Sequence, residues 1–166
     1  GALDSLGRMA FHYTDAVNLV LERIVAETAL FAHVRLPEVA VGFAHARKHS
    51  RHGMYAKLVA LGGSRGEPCF FRGRRVLYAL YVYLPRFHEQ RFAEKVLTLF
   101  HELFHVGPDF DGELRRMPGQ NQYHGNSREA FDEDLKPHVR AFLDRHSSDP
   151  RFDFLRTPLD ALERSH

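Results

Sequence analysis

His101-Glu102-Leu103-Phe104-His105 is the stretch on which the reading of this chain turns. Its pattern is H-E-x-x-H. On a helix, two histidines four residues apart lie one turn apart on the same face and can grip one metal ion. The residues around it agree. In the run from Phe92 to Phe104, stepped at about 100° per residue, Phe92, Val96, Leu97, Leu99, Phe100, Leu103 and Phe104 fill one broad arc. His101 and His105 fall on the other side with Glu94 and Thr98. Such a helix buries one face and presents both imidazoles on the other. Gly107-Pro108 then stops it, so the chain must bend away and can return with a further ligand.

The chemistry expected of that pattern is specific. A catalytic zinc takes three protein ligands and leaves one position for water, and a glutamate beside the first histidine can deprotonate that water. Glu102 is therefore the candidate general base, and His101 and His105 are two of the metal ligands. Two residues compete for the third place. His124 stands in Tyr123-His124-Gly125, just ahead of the next helix. Asp111 lies six residues after His105, the spacing of the third ligand in H-E-x-x-H-x-x-G-x-x-H, although here the glycine is one place early at Gly107 and Pro108 occupies its position. Tyr123, Arg115 and Arg116 are candidates to stabilise a developing oxyanion. Asp109, Asp111 and Glu113 could orient ligand imidazoles from behind. Each of these loop residues also has a plainer reading as a solvated or packing side chain.

Working outward, the chain reads as one α+β domain over residues 1–166. From Asp15 to about Phe31, Val17, Val20, Leu21, Ile24, Val25 and Phe31 recur at helical spacing, with Thr14 as a candidate N-cap. Residues 1–13 show no clear pattern. Val39, Val41 and Phe43 alternate with small residues and predict a strand over 38–44, and Met54–Leu61 predicts a second. The basic loop Arg47-Lys48-His49-Ser50-Arg51-His52 between them reads first as a solvated hairpin tip and second as an anion contact. Gly62-Gly63-Ser64-Arg65-Gly66 is a turn, and without a following Gly-Lys-Ser/Thr it is no phosphate loop. Val76–Leu84 is the strongest strand, apolar on both faces, and could pair with an extended substrate. Asn126-Ser127-Arg128-Glu129 opens another helix, with Ala130, Phe131, Leu135, Val139, Phe142 and Leu143 as its stripe and Pro137 expected to kink or divide it. Residues 146–166 then read as a C-terminal docking tail.

Composition narrows the partners. The chain is 44% hydrophobic and 27% charged with a net charge of +2, so no strong polyanion binding is implied by the total. One cysteine, Cys69, rules out an intrachain disulfide and a cysteine zinc cluster; it suits a reducing compartment, and a cytoplasmic location is the expectation. No stretch reaches the about 18 apolar residues of a membrane span, and no signal peptide is visible.

HELFH at 101–105, the linker that follows, YHG at 123–125 and the helix opening SREAFDEDL together resemble the SprT-like zincins, closest to the phage metallopeptidase group among these zinc metallopeptidases. The resemblance covers roughly 76–145. It implies a minimal zincin-like fold, a small mainly antiparallel sheet packed with an active-site helix. It also implies a zinc site of His101, His105 and His124, and a hydrolase, a metalloprotease acting on a protein or peptide substrate with Glu102 as base. The competing expectation is a zinc-stabilised module that binds nucleic acid or protein without hydrolysis, using residues 47–52 with Arg72, Arg74 and Arg75.

Overall fold

The computed structural model describes residues 2–45, 54–62, 66–117 and 128–165. Tyr123, His124 and the basic loop 47–52 lie outside these residues. Helix α1 runs Ala2–Glu27, so it begins well before Thr14, which sits inside it. In the sequence, Leu3, Leu6, Ala10, Tyr13 and Val17 continue the apolar spacing toward the N-terminus, a pattern that Ser5 and Gly7 obscure. The helix also ends earlier than expected: Thr28 is extended, and Ala29–Phe31 forms a separate 3-10 turn. Tyr13, Val17, Val20, Leu21 and Ile24 bury α1 against the sheet.

The fold is α+β, with a three-stranded and a two-stranded sheet among the described residues. Strands β1 (Val39–His45), β2 (Ala56–Ala60) and β5 (Tyr78–Leu84) are ordered β1-β5-β2. β1 runs parallel to β5, and β2 antiparallel. Val41, Leu80 and Leu58 lie side by side across the three strands, and all are buried. β5 is therefore central, with a neighbour on each side. That corrects the idea that this strand could take up a substrate backbone: its ladder is already filled, and the edge nearest the histidines belongs to β2. The apolar residues on both faces of β5 reflect burial within the sheet.

The strand expected from Val76 is in fact two. β3 (Cys69–Phe71) and β4 (Arg74–Val76) form a hairpin, and β5 starts only at Tyr78. Leu77 bridges the break: its N–H donates to Glu38 O at 2.8 Å, and its carbonyl accepts from Leu61 N at 3.0 Å. At the hairpin tip Arg72 and Gly73 both have positive φ, 52° and 77°, the pattern of a tight two-residue turn.

After the short helix α2 (Arg86–Glu89), α3 (Phe92–Phe104) packs Val96, Leu99, Phe100 and Leu103 into the core. Helix α4 (Arg128–His146) lies against it through Phe131, Leu135, Val139 and Phe142. α4 runs unbroken through Pro137. Pro137 and Glu133, whose carbonyl loses its partner, are both exposed, so water can satisfy that carbonyl. Beyond α4, a 3-10 turn at Pro150–Phe152 and the helices α5 (Asp153–Arg156) and α6 (Leu159–Ser165) bury Phe152, Leu155 and Leu162.

Candidate metal centre

The H-E-x-x-H residues occupy the last turn of α3, with His105 as its C-cap. They are not solvent-facing as an isolated amphipathic helix would suggest. His101, Glu102 and His105 are 5%, 6% and 8% exposed, because α4 and the chain after α3 cover them. Their ligand atoms lie within 4.8 Å of one another, the one such cluster of three metal-ligating groups among the described residues.

The two imidazoles point the same nitrogen at each other: His105 Nε2 is 3.1 Å from His101 Nε2. Behind His101, Nδ1 meets Asp132 Oδ1 at 2.6 Å. With an ionised carboxylate as the acceptor, Nδ1 carries the hydrogen and Nε2 offers a lone pair. Across that gap His105 Nε2 can donate its own hydrogen to the His101 lone pair, or both lone pairs can face one cation. Ligands on a tetrahedral zinc, at bonds of about 2.05 Å, sit about 3.3 Å apart. The donor set and its spacing thus fit a divalent metal. Phe131 of α4 holds both rings in place, stacked on His105 (5.2 Å between centroids, 19° between planes) and tilted against His101 at 4.7 Å.

Glu102 points differently. Its Oε2 accepts a 2.8 Å bond from the backbone N–H of Leu58, on the outward edge of β2. The sheet edge therefore fixes the rotation of the carboxylate beside the imidazole pair.

The chain leaving α3 makes a tight return, with Val106 bridged to Leu114. His105 O accepts from Arg115 N at 2.7 Å, and Gly107 N donates to Glu113 O at 3.0 Å. A Cβ on Gly107 would stand 2.6 Å from Glu113 O, so only glycine fits. The Tyr78 hydroxyl donates to Glu113 O at 2.7 Å and accepts from Gly112 N at 3.1 Å, tying the return to β5. Burial pushes the Tyr78 hydroxyl above its ordinary range.

The loop candidates are distributed as follows. Asp111 is exposed, accepts from Glu113 N at 3.1 Å, and is not in the ligand cluster. Asp109 and Glu113 are exposed too, and Asp132, from the next helix, is the carboxylate bonded to His101. Arg115 donates through Nε to Phe104 O at 2.9 Å, with its guanidinium 4.4 Å from the Phe104 ring centroid. These contacts brace the end of α3, and burial lowers the Arg115 pKa. Arg116 is exposed.

Set against known proteins, the chain matches no family model, no curated protein and no solved structure.

Sequence reasoning missed Asp132, Phe131 as a ring clamp, and the Leu58 N–H. One signal for Asp132 was present: at about 100° per residue it lies about 20° from Val139, a charge at the border of the α4 stripe. A cleft of about 280 Å³ opens beside the cluster, between Tyr55 and Ala56 on one side and Glu94, Leu97 and Thr98 of α3 on the other, with His101, Glu102 and Asp132 in its wall.

Proposed function

We propose that this chain is a zinc-dependent metallopeptidase. The observation that carries the reading is the 3.1 Å approach of His101 Nε2 and His105 Nε2, with Asp132 behind one ring and Glu102 alongside. His101 and His105 are two ligands in this reading, and His124 is the third. Bound there, zinc would supply a Lewis acid that lowers the pKa of water toward about 7. Glu102 takes the proton from the attacking water at its carboxylate and returns it to the leaving amine. Leu58 N–H holds Glu102 in the rotation this needs, and Asp132 keeps the His101 lone pair on Nε2. The cleft next to Glu102 gives a peptide a way in.

The test is metal content together with proteolysis of an unfolded protein by wild type and Glu102→Gln. Expected are zinc in both proteins and a loss of cutting of about 10²–10⁴-fold in the variant. A zinc-loaded variant that cuts at the wild-type rate removes Glu102 as base.

One observation favours a second reading, a binding module with a structural metal. Phe70 is 68% exposed on the β3–β4 hairpin beside Arg72, Arg74 and Arg75. Salt-dependent binding of single-stranded DNA by a zinc-loaded protein that cuts no peptide would select it. No helix among the described residues is long and apolar enough to cross a membrane.

A further inference from the structure

We propose that the cleft beside Glu102 is a subsite for a lysine or arginine side chain, and that Glu94 sets this preference; the proposal rests on the peptidase reading. At about 280 Å³ the cleft lies just under the range of about 300–1,000 Å³ typical of small-molecule pockets, so it suits one long side chain rather than a cofactor. Its wall has an apolar part and a charged part. Tyr55, Ala56 and Leu97 are the apolar part, against which an aliphatic stem can lie. Glu94 offers the charged end: its side chain is 54% exposed, so a cation can meet it without leaving water. Glu102 and Asp132 add two more carboxylates, and among the described residues His101 is the one basic side chain in the wall. A bound zinc would offset Glu102 and Asp132, so Glu94 is the carboxylate left to repel an acidic side chain placed here.

Two arginines stand nearby. Arg91 Nε is 3.8 Å from Glu94 Oε1 with 90% of its side chain exposed, an ion pair loose enough for an arriving cation to displace. Arg86 lies over the Tyr55 ring at 5.4 Å from its centroid. Gln90 and Thr98 are hydrogen-bonded to each other at 3.2 Å, so they close that side of the cleft with neutral groups.

The test uses the full chain, loaded with zinc and carrying Glu102→Gln so that bound peptide is not consumed. Fluorescence anisotropy is read with a labelled Ala-Gly peptide holding one central lysine, and with the same peptide holding norleucine, which keeps the stem and lacks the charge. The lysine peptide is expected to bind about three- to fivefold more tightly, the ratio an exposed ion pair of up to about 1 kcal/mol gives. Adding Glu94→Gln should erase the difference, and Glu94→Lys should shift it toward a glutamate peptide. Equal binding of lysine and norleucine peptides, or a lysine preference that survives Glu94→Gln, overturns the proposal. Wild-type protein stripped of metal is a second host for the same comparison if Glu102→Gln loses zinc. Because the readout is binding, it decides the subsite even if the wild-type protein cuts nothing. That failure would count against the hydrolytic reading instead.

Discussion

The two ends of α3 both bury polar side chains, and they do it in opposite ways. Near its start, Lys95 is 3% exposed and its Nζ donates to Leu155 O, while His88 just ahead of the helix is 5% exposed. The two ring nitrogens of His88 meet Thr157 O and the Tyr13 hydroxyl. Each buried group finds an oxygen of complementary character, and the result is a clasp that holds the segment after α4. At the other end, His101 and His105 aim like nitrogens at each other. Buried polar groups are normally satisfied, so the first arrangement is architecture. The second sets two like nitrogens face to face, sharing one hydrogen or flanking a cation, with a carboxylate alongside, and that grouping of ligand atoms is why it reads as a site.

The sharpest way to break this contrast is to remove a ring from each end. His105→Ala should lower zinc affinity by at least about 10²-fold, more than loss of a group that only orients a ligand. His88→Ala should leave metal content unchanged while lowering thermal stability. Metal analysis and melting curves on the two variants check both halves. Equal metal loss from both would end the distinction between clasp and site.

Asp132→Asn probes one step further out. The amide can donate where the carboxylate only accepted, so His101 can turn its lone pair toward residue 132 and away from the metal. A loss of about 10–100-fold in zinc affinity is expected, with the fold intact by circular dichroism. An unchanged affinity would mean that Phe131 stacking alone orients the imidazoles.

Gly107→Ala acts on the return that follows the site. Its Cβ would press on a backbone oxygen, which moves less easily than a side-chain tip. The expected cost is about 1–3 kcal/mol, read as a shift of the denaturant midpoint. Tyr78→Phe should weaken the same return by removing both hydroxyl bonds, without the clash.

What was legible in the sequence follows the range of the interactions involved. α3, its apolar arc and its stop could be read because helix periodicity is local, and β1 and β2 were placed to within two residues at each end. The His101–His105 pair was legible for the same reason: four residues on a helix fix the geometry. Asp132 and Leu58 lie 31 and 44 residues away in the chain from the side chains they hold, and no local pattern announces such a meeting. The central place of β5 was hidden likewise, since strand order depends on a parallel pairing with β1 that periodicity cannot express. The start of α1 failed locally, where Ser5 and Gly7 break the apolar spacing of the sequence although the helix runs from Ala2.

The smallest effect expected at neutral pH is also the one that tests the clasp most directly. Burial pushes the Lys95 ammonium down to about 8, from an ordinary value of 10.5. Below pH 8 both folded and unfolded chains carry the proton, and the folded chain bears the cost of a buried charge. Between about 8 and 10.5 the folded chain has released it while the unfolded chain still holds it, so the unfolded state binds more protons and stability rises with pH. Tyr13, buried and held well above the phenol range, acts oppositely at higher pH, which is why a wild-type curve alone would mislead. Lys95→Met keeps the stem and removes the titration. At pH 7 the two proteins should differ by no more than about 1 kcal/mol, since the lost bond to Leu155 O offsets the relief of the buried charge. From pH 8 upward the wild type should gain on the variant, by at most about 1.4 kcal/mol per pH unit. Chemical denaturation of both at matched pH measures that difference. Parallel curves would mean that the amine reaches water in the folded chain, and that the α3 start is held by Phe152, Leu155 and the His88 bonds alone.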